Sequence, residues 1–132
     1  MYKVKHIMPL SEIQDNLLEI QEFISIDYDA DNGHEVIDRA KKIEQYMALT
    51  GKMLADAKFH KDEVYQSNFV NAIKSNTNAS PSTLNKYLDS LVRDYQYLVD
   101  WCDRLNRTCT HQLDFSRTLI SKLKAEMQHI QG

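Results

Sequence analysis

Asp27, Asp29 and Asp31 alternate along one short stretch, and Asp38 stands twelfth counting from Asp27. A calcium loop of the EF-hand type takes oxygens at places 1, 3, 5 and 12, so this spacing resembles one. It departs in three ways. Glycine falls at place seven (Gly33) instead of six, His34 stands where an aliphatic residue is usual, and the last ligand is Asp38 rather than a bidentate Glu. Asn32 at place six tolerates the left-handed conformation that the turn needs. The competing reading is an acidic turn that caps the next helix. His34 and Asp38 also share a helical face one turn apart, like half of a zinc-binding His-Glu-x-x-His helix. Glu126 and His129 add a Glu-x-x-His pair of the kind used in carboxylate-bridged di-metal bundles. Such a site needs two of these pairs and two further glutamates, and the chain offers one pair. Asp27, Asp29, Asp31, His34, Asp38, Glu126 and His129 are therefore the candidate metal ligands. No other cofactor is implied.

A second set of residues runs from Arg104 to Arg117. Arg104, Asn106, Arg107, His111, Gln112, Asp114 and Arg117 crowd a segment whose helical seam should otherwise hold leucine. Buried polar groups need partners, so this stretch is expected to form a polar layer bonded across to the region of residues 40–54. The alternative is a partner surface, with the three arginines as anion contacts. Nucleic acid fits poorly: the chain carries a net charge of −3, no aromatics alternate with the arginines, and helical spacing splits them over different faces.

The segment from Cys102 through Cys-Asp-Arg-Leu-Asn-Arg-Thr-Cys-Thr-His-Gln-Leu-Asp to Lys122 resembles segments of small uncharacterised helical proteins of bacterial phages and mobile elements. The resemblance covers only that stretch. It implies a helical fold and a biological setting, and it brings no activity and no functional residue.

Nothing else has catalytic spacing. Three isolated glycines cannot build a phosphate loop. No nucleophile elbow or Ser-His-Asp arrangement is present, so the chain reads as non-enzymatic. Cys102 and Cys109 lie seven residues apart, about 10 Å along one helix, too far for a disulfide. They read as small core residues.

These groups must be positioned by a few long elements, because three Gly and two Pro allow few turns. Hydrophobic residues make up 42% and charged residues 27%, a globular balance with no apolar run long enough to span a membrane. With no apolar segment of signal-peptide length behind Lys3 and Lys5, a cytoplasmic location is the expectation. Residues 1–10 alternate loosely and read as an extended arm. Ser11 and Gln14 form a capping box. Ile13, Leu17, Ile20 and Ile24 then stripe a helix over about 11–27. Asn32 and Glu35 form a second capping box for a helix over about 33–75, with a possible bend near Gly51 or Lys58–Asp62. Ser80 before Pro81 starts a third over about 81–130. Its residues Leu84, Leu88, Leu91, Tyr95, Leu98, Cys102, Leu105, Cys109 and Gln112 follow unbroken steps of four and three, a heptad seam. Trp101, Phe115 and Met127 lie beside that seam and widen the face expected to be buried.

The expected architecture is a single all-α domain over residues 1–132. The two long helices form an antiparallel, coiled-coil-like hairpin, and the shorter first helix braces its open end. In that register position i faces roughly position 157−i. The first helix is acidic: eight carboxylates and no Lys or Arg fall between Ser11 and Glu35. The hairpin tip has only two helices to cover its apolar residues. Tyr65, Phe69, Ile73, Leu84, Leu88 and Leu91 are therefore the expected contact surface of a homo-oligomer, with a dimer favoured. The functional expectation is an interaction or assembly protein with an unknown protein partner. A metal-binding helical protein and a nucleic-acid accessory factor are the alternatives.

Overall fold

The computed structural model describes residues 6–75 and 79–131, with backbone alone at 72 and 131. Residues 1–5 of the expected arm and 76–78 of the expected tip turn lie outside the described residues. The described chain is all-α: α1 (Leu10–Ile24), α2 (Gly33–Ser75), α3 (Pro81–Leu91) and α4 (Arg93–Gln131). No described helix is long and apolar enough to cross a membrane.

The long hairpin follows from composition. In α2 the single interior glycine, Gly51, does not interrupt the helix, which also runs unbroken through Lys58–Asp62. A Cβ at Gly51 would lie 3.8 Å from Asn106 Nδ2, and one at Gly33 would lie 3.8 Å from Leu123 Cδ1. Both pairs agree with the register expected from the short connection. Ser80 caps α3 by accepting the amide of Thr83, with Pro81 in the first turn, where its missing N–H costs no bond.

The helix boundaries depart from the sequence pattern at three points. The third helix is not continuous. It breaks at Val92, whose φ of −98° and ψ of 6° leave the α region while Val92 N still donates to Leu88 O. Gln96 N in turn reaches Val92 O at 2.8 Å, so hydrogen bonding continues through the kink. Neither Gly nor Pro marks the place, and the apolar seam runs through it. The first helix begins at Leu10 after Pro9, with no side-chain cap, so Ser11 does not cap it. It ends at Ile24, three residues short of Asp27, where Ser25 Oγ donates to Gln21 O.

The core runs along the contact of α1, α2 and α4. Ile13, Leu17 and Ile20 present one face of α1 to Ile43, Met53 and Ala57 of α2 and to Cys102, Leu105 and Cys109 of α4, all buried. Burial at steps of three and four on each helix is the amphipathic pattern of a helix with one buried face. Trp101 is half-buried against α1, but Phe115 and Met127 are 54% and 60% exposed. Those two do not widen the core, because α1 ends before it reaches their level. Beyond the braced region α4 continues as a single helix whose side chains from Lys124 to Ile130 are all exposed.

Candidate functional site

The acidic loop is built around its own backbone. Asp29 Oδ1 accepts from Asp31 N at 3.0 Å, and Asn32 Oδ1 accepts from His34 N and Glu35 N at 3.1 and 3.2 Å. Asn32 therefore caps α2. Glu35, expected to close a capping box on Asn32, instead turns its carboxylate to Asp29 N at 2.9 Å. Asp27, Asp29, Asp31, His34, Asp38, Glu126 and His129 are all exposed. Among the described residues no three His, Cys, Asp or Glu side chains are grouped to hold a metal ion. The proposed ligands are thus not brought together. The carboxylates of Asp29 and Glu35 satisfy local amides, and Glu126 meets Lys122 at 3.9 Å on a solvated helix face.

The polar run on α4 divides by helical face. Asn106 Nδ2 donates to Met47 O at 2.9 Å and to Thr50 Oγ1 at 3.1 Å, across the hairpin. Gln112 Oε1 accepts from Arg39 at 2.7 Å. Ser116, one turn beyond Gln112 on α4, is buried. Arg104, Arg107, His111, Asp114 and Arg117 are exposed, and two of the arginines pair within their own helix, Arg107 with Asp103 and Arg117 with Asp114. Exposed pairs of that kind add little stability.

Two polar centres lie outside every sequence candidate. Arg39 is only 9% exposed. Its guanidinium donates to Phe23 O, Ile24 O and Ile26 O, carbonyls at and just beyond the end of α1, and to Gln112 of α4. The ring of Tyr28 lies 4.5 Å from its Cζ and that of Phe23 lies 5.2 Å away. The negative end of the α1 dipole, two aromatic faces and one amide together stabilise the charge. The second centre receives the chain ahead of α1. Lys52, Asp56 and His60 stand at successive turns on one face of α2. Asp56 Oδ2 accepts Met8 N at 2.9 Å, His60 Nε2 donates to Met8 O at 2.8 Å, and Lys52 Nζ donates to His6 O at 3.1 Å. Lys52 also pairs with the buried Asp56 carboxylate at 2.6 Å.

Cys102 and Cys109 are free and buried. Burial pushes the Cys102 thiol up to about 11. Burial also raises Cys109, and the Arg39 charge offsets part of that rise. Both are protonated near neutrality, so neither has the thiolate that nucleophilic chemistry or metal binding requires.

At the tip, Leu88 is fully buried within the chain, so it belongs to the hairpin's own seam and not to an outer contact. Tyr65, Leu84 and Leu91 are half-buried, while Phe69 and Ile73 are 41% and 42% exposed. Two residues absent from the expected set join them at the surface, Val70 at 52% and Tyr87 at 49%. Tyr65 and Phe69 stack one turn apart with ring centroids 6.4 Å apart. From Val64 to Asn85 the only charged residue is Lys74. Comparison with protein-family models, curated proteins and solved structures gave no match to this chain.

Proposed function

We propose that the chain is a non-enzymatic helical assembly protein that pairs with a second copy through the tip of its hairpin. The near absence of charge from Val64 to Asn85 carries this reading. An exposed helix face normally carries Lys, Glu and Arg, whereas the cores of protein interfaces are depleted in charge and enriched in aromatic residues. The tip shares that depletion of charge, with Phe69, Val70 and Ile73 at its surface and Tyr87 just beyond the uncharged run. A second copy brings no buried charge to such a face, so a two-fold contact desolvates few ionised groups. The braced middle of the molecule, where α1 covers α2 and α4, then holds the two-helix tip out as the contact element. A phage or mobile-element setting rests on the Cys102–Lys122 resemblance alone and forms part of the proposal.

Light scattering over a concentration series tests it. The expected mass rises from that of the 15.4 kDa chain to twice that value as concentration increases. A single mass of one chain at high micromolar concentration would remove the assembly reading.

A further inference from the structure

We infer that the groove between α1 and α4 is a docking site for a basic amphipathic helix. Gln14, Asp94, Tyr97, Leu98 and Trp101 line a groove of about 310 Å³. It meets a wider groove of about 750 Å³ at the Val92 kink, and the two share Asp94 and Tyr97. Tyr97 is 66% exposed and forms the ridge between them, its ring centroid 6.0 Å from that of Trp101. On the α1 wall, Gln14, Leu18 and Gln21 share a face at steps of four and three. Gln21 accepts from the Trp101 indole N–H at 3.2 Å. Leu18 lies between the two glutamines and is 54% exposed, although α1 has its own buried face at Ile13, Leu17 and Ile20. Tyrosine and tryptophan, residue types that anchor protein interfaces, thus line a surface that the fold leaves open, and Leu18 adds an exposed apolar side chain on its α1 side.

The charge around this surface identifies the occupant. Glu12, Asp15, Glu19 and Glu22 follow one another at steps of three, four and three, a single exposed stripe beside Leu18. None is in an ion pair among the described residues, although Glu19 Oε1 accepts from the Tyr46 hydroxyl of α2 at 3.5 Å. The stripe spans about 15 Å, close to three helical turns. Asp89, Asp94 and Asp100 add negative charge on the α4 side of Tyr97, while Lys61 and Arg93 on the wider groove and Arg104, one turn beyond Trp101, bound the acidic field. A partner helix with an apolar face for Leu18, Tyr97 and Trp101 and a Lys/Arg edge for the α1 stripe matches both features. This contact lies on the braced part of the molecule and is independent of pairing at the tip.

Trp101 is the only tryptophan, so its emission reads the groove directly. The probe is a synthetic amphipathic peptide of Leu and Lys at helical spacing, with a Leu/Glu peptide of the same pattern as its counterpart. The Lys peptide is expected to shift Trp101 emission to the blue in a saturable way that weakens with salt, and the Glu peptide is expected to leave it unchanged. Leu18→Ser and Tyr97→Ala, each at an exposed position with the acidic stripe intact, are expected to weaken binding about tenfold. Three results would overturn the inference. These are no shift with the Lys peptide, equal affinity in both variants, and a blue shift on concentrating the protein alone, which would make the groove a contact between copies.

Discussion

Arg39 places a full charge in the interior with no carboxylate against it among the described residues. Its partners are main-chain carbonyls of α1, two rings and Gln112, so one side chain ties the end of α1 to both long helices. Arg39→Ala is expected to cost about 3 kcal/mol in urea unfolding, because Gln112 and the carbonyls at the end of α1 lose a shared, largely buried donor. Arg39→Lys is expected to recover less than half of that loss, since an ammonium cannot reproduce the planar fork; full recovery would show that charge alone matters there. Cys102 carries a second expectation at this scale. The unfolded thiol ionises at its ordinary value of 9.0 while the folded one holds its proton to about 11. Between those values the folded state binds more protons, so stability falls as pH rises, by about 1.4 kcal/mol per pH unit from this group. Unfolding free energies across that window should fall more steeply for the wild type than for Cys102→Ala. Equal slopes would contradict the assigned burial. Neither Arg39 nor the Lys52–Asp56–His60 set was legible in the sequence. Both bond main-chain atoms, and a backbone carbonyl or amide leaves no signature in residue type.

At the scale of elements, the two long helices and their register were legible, because long stretches without Gly or Pro keep a regular apolar repeat and a short connection makes them antiparallel. The kink at Val92 was not. The seam residues Leu91, Tyr95 and Leu98 continue through it at steps of four and three, and no breaker residue stands there. The boundaries of α1 were read too late at both ends. Pro9 opens the helix without a side-chain cap, and the demand of Arg39 for free carbonyls coincides with its end at Ile24. The spacing of Asp27, Asp29, Asp31 and Asp38 was visible, yet spacing does not reveal which oxygens turn inward to local amides. Gly51 offers a clean expectation about α2. It is exposed within a continuous helix, and a Cβ there meets Asn106 Nδ2 only at an ordinary 3.8 Å. Gly51→Ala is expected to stabilise the protein by about 0.5–1 kcal/mol, read as a higher midpoint in chemical unfolding. A loss of stability would mean that the helix needs glycine's freedom at that turn.

Across the whole molecule, a braced middle contrasts with barer ends. α1, α2 and α4 share a core, while the tip exposes apolar side chains and almost no charge. In the proposed assembly this tip joins two copies. Sedimentation velocity on the wild type, Phe69→Glu and Phe115→Glu, each checked for helical content by circular dichroism, tests it most directly. Phe69 lies on the tip, and Phe115 is exposed on α4 beyond the brace. The wild type and Phe115→Glu are expected to sediment as dimers and Phe69→Glu as a monomer, because one carboxylate per copy must then be buried without a partner. Three species that sediment alike, whether all monomeric or all dimeric, would contradict the account.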